Sequence, residues 1–105
     1  MGLKHTPELD MLFEGILTLK SVDECRALFD DLCTIRELND MAQRFAVACR
    51  LSEGDCYAKI SSATGASSAT ISRVAKCLNY GADGYHKAIE RIEALNSEKE
   101  THKSK

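Results

Sequence analysis

The stretch SSATGASSATISR, residues 61–73, carries seven Ser or Thr hydroxyls and one arginine in thirteen residues, with no carboxylate. Hydroxyls in such numbers, without an acid or a histidine beside them, suit hydrogen bonding to a polar surface better than bond-making. Ser and Thr can serve either the base edges or the phosphates of a duplex, and an alanine methyl can meet thymine in a major groove about 12 Å wide. Arg73 and Lys76, just beyond, can reach guanine or the backbone. Other chemistries find no support. His5, His86 and His102 are far apart, with neither an H-E-x-x-H run nor a Cys/His metal spacing, so no metal is expected. Asp30-Asp31 reads as a solvated helix face, because nothing near it in sequence supplies a nucleophile, and no residue is assigned as catalytic. Cys56, ahead of Tyr57, sits where a helix start lowers a thiol pKa, but the simpler reading is a small apolar residue.

The elements needed to present the hydroxyl-rich stretch are a short helix over about Cys56–Ala63, a turn at Gly65 and a longer helix over about Ser67–Leu78. This is helix-turn-helix spacing. Ser61 supplies a small residue at the crossing, Gly65 tolerates the positive φ of the turn, and Ile60, Ala66, Ile71 and Val74 are spaced to lock the two helices. On the second helix Ile71, Val74, Ala75 and Leu78 fall on one stripe, leaving Ser68, Ala69, Ser72, Arg73 and Lys76 on another.

The remaining chain reads as further helix. Thr6-Pro7-Glu8 is an N-cap, first-turn proline and acidic first turn. Ser21 with Glu24 and Thr34 with Glu37 fit the capping box that opens a helix. The third helix runs from about Ile35 to Leu51 and stops at Gly54. Its broad apolar face carries Leu38, Met41, Ala42, Phe45, Ala48 and Cys49, while Val47 and Leu51 lie nearly opposite. Such a helix needs cover on both flanks, either from its own neighbours or from a second subunit. With one proline and no strand-like alternation the fold class is all-α, arranged as a single helical domain over residues 1–95 and a flexible tail over 96–105.

Length, charge and cysteines narrow the class further. A chain of 105 residues with 44% hydrophobic content suits one small soluble domain, one that oligomerising would stabilise. No apolar run approaches the roughly 20 residues that span a bilayer. Five cysteines without a C-x-x-C pair fit reduced thiols in the cytoplasm. Met1-Gly2 with Thr6 formally fits an acylation pattern, but Thr6 has the plainer use as a cap. The formal charge is −2, yet between Cys56 and Ala82 the charged residues are Lys59, Arg73 and Lys76, which leaves −5 elsewhere. A locally positive patch on an acidic body suits DNA binding without general adhesion to nucleic acid.

From about Thr34 to Ile89 the chain resembles the tryptophan repressor family, in particular its YerC/YecD branch, through ELNDMAQRFAVACRLSEG and TGASSATISRVAKCLNYG. The resemblance implies an intertwined homodimer with the third helix at its centre, and two helix-turn-helix units reading successive major grooves. It implies that Ser68, Ala69, Thr70 and Ser72 face the operator, with Lys59 or Lys76 on phosphate; with Ser67, Arg73 and Lys76 these make up the expected DNA-binding set. The family's co-repressor lies between two arginines, which fall here on Arg44 and Arg73, but the next residue is Val74 where the repressor has glycine. The pocket formed by Arg44, Arg73 and Val74 is therefore expected to exclude L-tryptophan, and no cofactor is assigned. The expected function is a homodimeric DNA-binding transcriptional regulator, a repressor acting on an operator. The alternative is a helix-turn-helix-shaped module for protein contacts alone.

Overall fold

The computed structural model describes the backbone of residues 2–103 and the side chains of residues 2–99. Met1, on which the acylation pattern depends, lies outside the described residues. Six helices and no strand occur among those described: α1 (Pro7–Leu17), α2 (Val22–Leu32), α3 (Ile35–Ser52), α4 (Tyr57–Thr64), α5 (Ser68–Tyr80) and α6 (Gly84–Lys103). None of them is long and apolar enough to cross a membrane.

The chain forms two compact units, Met1–Met41 and Ala42–Lys105. In the first unit the helix starts are fixed by local hydrogen bonds. Thr6 Oγ1 accepts from the Leu9 amide at 3.1 Å, ahead of Pro7 at the first helical position. Ser21 Oγ accepts from the Glu24 amide at 3.1 Å, and Glu24 reaches back to the amide of Lys20 at 3.0 Å, one residue before the usual return bond. Thr34 and Glu37 make the full reciprocal box: the Glu37 amide donates to Thr34 Oγ1 at 3.1 Å and the Thr34 amide to Glu37 Oε1 at 2.8 Å. The Thr34 amide, and then its hydroxyl, hold the Glu37 carboxyl below its ordinary pKa. No residue of α1 or α2 is buried, and Leu17 and Ile35 are 84% and 76% exposed.

Among the described residues the buried core lies in the second unit: Val47, Ala48, Ile60, Ala66, Ile71, Val74 and Ile89, with Phe45, Cys49, Leu51, Leu78 and Tyr85 packed around it. Val47 shares this cluster with residues of α4 and α5, so the chain itself covers that flank of α3. Burial, followed by the carboxylates of Glu53 and Glu93, pushes the Cys49 thiol pKa up. All five thiols are free. α6 continues to Lys103. Its first turns are anchored by Tyr85 and Ile89, and the rest of the segment to Lys103 contains no proline or glycine and is rich in Glu and Lys, so propensity sustains the helix beyond that anchor. Ser104 and Lys105, the last residues of the expected tail, lie outside the described residues.

Candidate nucleic-acid interface

The turn between α4 and α5 is held at three points. Gly65 takes φ +76°, and its amide donates to the Ser61 carbonyl at 2.8 Å, closing α4 with a left-handed cap. A Cβ at Gly65 would find ample room, its nearest neighbour being Gln43 Nε2 at 3.9 Å, so backbone conformation is what calls for glycine here. Thr64 Oγ1 donates to the Ile60 carbonyl at 2.7 Å and accepts from the Ala66 amide at 3.2 Å. Gln43, on α3, donates from Nε2 to the Thr64 carbonyl at 3.2 Å. Beneath the turn Ile60, Ala66, Ile71 and Val74 are all buried, so α4 and α5 move as one piece.

The outward stripe of α5 separates into residues that are open and residues already engaged. Ser68, Ala69, Ser72, Arg73 and Lys76 are exposed. Ser67 is the N-cap of α5: its Oγ accepts from the Thr70 amide at 3.2 Å and donates to Thr70 Oγ1 at 3.1 Å. Ser67 and the half-buried Thr70 therefore shape the helix start, while Ser68 and Ser72 present unengaged small polar groups beside Ala69. At the other end, a Cβ on Gly81 would collide with the Cys77 carbonyl, and the His86 ring lies with Nε2 2.7 Å from the Leu78 carbonyl. His86 thus serves the last turn of α5, a role its position in the sequence did not reveal.

Further cations lie on α4 and α3. Lys59 is exposed on the first turn of α4, with Nζ 3.4 Å from Asp55 Oδ1. Arg44, Arg73 and Val74 line one cleft of about 290 Å³, joined by Cys77 and Tyr85. Val74 is only 1% exposed, so it is both a wall of the cleft and part of the core beneath it. Tyr85 stacks obliquely near Phe45, with ring centroids 6.2 Å apart. Cys77 lies four residues after Arg73, a spacing that places it on the same helical face and was readable in the sequence. Tyr85 comes from α6 and reaches the cleft only through tertiary packing. The arrangement offers exposed hydroxyls, small side chains and cations on one rigid helix start, which suits close approach to a polyanion and supplies no group positioned for bond cleavage.

Comparison with known proteins agrees with this architecture. The family described as "Trp repressor protein" matches residues 7–93. The protein YerC of Bacillus subtilis (strain 168) is 53% identical over 91 residues, spanning 87% of this chain and 88% of that protein. Among solved structures, a Trp repressor candidate from Staphylococcus aureus superposes with a TM-score of 0.82 at 44% identity, over 85% of this chain and 89% of that one. A TrpR-like protein from Eubacterium eligens ATCC 27750 superposes with a TM-score of 0.81 at 49% identity, over 84% of this chain and 91% of that one.

Proposed function

Because this chain belongs to the Trp repressor protein family, whose members are helix-turn-helix DNA-binding regulators and not enzymes, we propose that it is a cytoplasmic, homodimeric repressor that reads one operator through α5. The observation that carries the reading is the exposed row Ser68, Ala69, Ser72, Arg73 and Lys76 on a helix whose opposite face, Ile71 and Val74, is locked into the core. A rigid helix with a small, hydroxylated and basic outer face can lie deep in a major groove, where Arg73 reaches a base or phosphate and Ser68 and Ser72 meet polar edges. Lys59 and Lys76 serve phosphates, and Ser67 and Thr70 keep the helix start in shape for the contact.

The homodimer is supported by the first unit. Leu3, Met11, Leu17, Val22 and Ile35 are each more than 60% exposed there, and no residue of α1 or α2 is buried. So much apolar surface on a small unit without a core is a cost to a monomer and a source of stability to a dimer. Two subunits also bring two copies of α5 to one duplex, doubling the three cations that Lys59, Arg73 and Lys76 provide. The cleft between Arg44 and Arg73 does not take L-tryptophan in this reading, because the Val74 side chain fills the place where an indole would enter.

Gel-shift selection from a random duplex pool at low salt tests the proposal. A DNA-reading dimer enriches one motif of two half-sites and releases it steeply as salt rises. A module serving protein contacts alone would retain no duplex at all.

A further inference from the structure

Asp55 lies in the connection between α3 and α4, and only 14% of its side chain is exposed. Its two carboxylate oxygens are divided between two cations: Arg50 Nη1 lies 3.3 Å from Oδ2, and Lys59 Nζ lies 3.4 Å from Oδ1. Its backbone is fixed as well, since the Asp55 amide donates to the Arg50 carbonyl at 3.1 Å. The acid therefore cannot swing away, whereas Lys59, with 67% of its side chain exposed, can.

We propose that Asp55 is a built-in competitor for Lys59 that sets the sequence-independent share of this protein's affinity for DNA. The inference rests on the DNA-binding function proposed above. Lys59 is the third residue of α4, where the positive end of the helix dipole disfavours a cation. Asp55, just ahead of the helix, supplies the anion that makes a lysine acceptable at that position. When a phosphate approaches, Lys59 exchanges one anionic partner for another, and the fixed carboxylate stays behind to repel the phosphate. The exchange releases fewer counterions than a free lysine would, so affinity and salt slope are both held down. Because phosphates carry no sequence information, this restraint acts equally on every duplex.

The test measures binding of Asp55→Asn, Lys59→Ala and the double variant to selected and scrambled duplexes across a salt series. D55N is expected to bind both duplexes more tightly, by the same factor of roughly three to ten at low salt, with a slope steeper by up to about 0.9 per subunit. That gain is expected to vanish when K59A is added. A gain that survives K59A would overturn the proposal, since it would reflect general loss of negative charge, and so would weaker binding by a D55N that remains folded by circular dichroism. K59A alone gives an independent reading that does not depend on the folding of D55N: its slope is expected to flatten by less than about 0.5 per subunit, and a loss of about 0.9 would show Lys59 unrestrained and overturn the proposal. Wild-type protein that binds no duplex would overturn the DNA-reading function itself, whereas binding that is identical in wild type and D55N would overturn only the role of Asp55.

Discussion

Val74→Gly separates the two parts that this one side chain plays. Val74 is 1% exposed, so deleting its three side-chain carbons removes nearly all of their buried contact. At about 0.8 kcal/mol per buried carbon the transfer loss is about 2.4 kcal/mol. Glycine adds about 0.4 kcal/mol, the difference between its helix propensity and that of valine. A total near 3 kcal/mol, more if the core does not relax into the space, lies within the roughly 5 to 15 kcal/mol of an ordinary domain, so the variant folds. Urea denaturation reads the destabilisation, and calorimetry with L-tryptophan reads the cleft. The wild type is expected to give no heat, while V74G opens the wall between Arg44 and Arg73 and binds the indole. Saturable micromolar binding to the wild type would refute the steric argument. A loss of stability below about 1 kcal/mol in V74G would refute the placement of Val74 in the core.

Further expectations concern the groove contact, the dimer and pH. Arg73→Ala should weaken binding to the selected duplex by about 1 to 3 kcal/mol if the arginine reads a base, with the thermal transition unchanged; unaltered affinity in a folded variant would remove Arg73 from the interface. Phe45→Asp introduces an unpaired charge beside Tyr85 and the core, so dimer dissociation and unfolding should coincide; a folded dimer by light scattering would contradict both assignments. The capping box lowers the Glu37 pKa in the folded state, so its contribution is present above the pKa of the unfolded chain and is lost as pH falls through the folded value. Carboxyl NMR titration should find Glu37 titrating below a typical exposed glutamate, and Thr34→Ala, which removes the hydroxyl but keeps the amide, should raise it only part of the way back.

Features that depend on a few neighbouring residues were legible in the sequence. Thr6, Ser21 and Thr34 cap helices because a hydroxyl three residues before an amide makes its bond within the segment, and the structure places these caps as their spacing predicts. Gly65 was legible for the same reason, its left-handed φ being a property of the residue itself. The outer stripe of α5 followed from helical periodicity, although periodicity could not tell that Ser67 uses its hydroxyl on the Thr70 amide. Contacts that join distant segments were not legible: the Gln43 bond to the Thr64 carbonyl arises only when α3 meets α4, and the arrival of Tyr85 at the arginine cleft only when α6 packs against α3 and α5. The Asp55–Lys59 spacing was visible, but a count of charges beginning at Cys56 left the acid out, and its hold on Lys59 depends on Arg50. The last turns of α6 carry no amphipathic stripe that would mark their extent in sequence, and local sequence does not report which segments lack buried residues.

The central claim, that this chain reads DNA through α5, is tested most directly by fluorescence anisotropy of the wild-type protein on its selected duplex and on a scrambled one, followed as a function of salt. Log affinity is expected to fall linearly with log salt, with a slope of roughly −3 to −5 from at most six cations on two subunits. The selected duplex is expected to be held at least about a thousandfold more tightly than the scrambled one. Equal affinity for the two duplexes, or binding indifferent to salt, would contradict the claim.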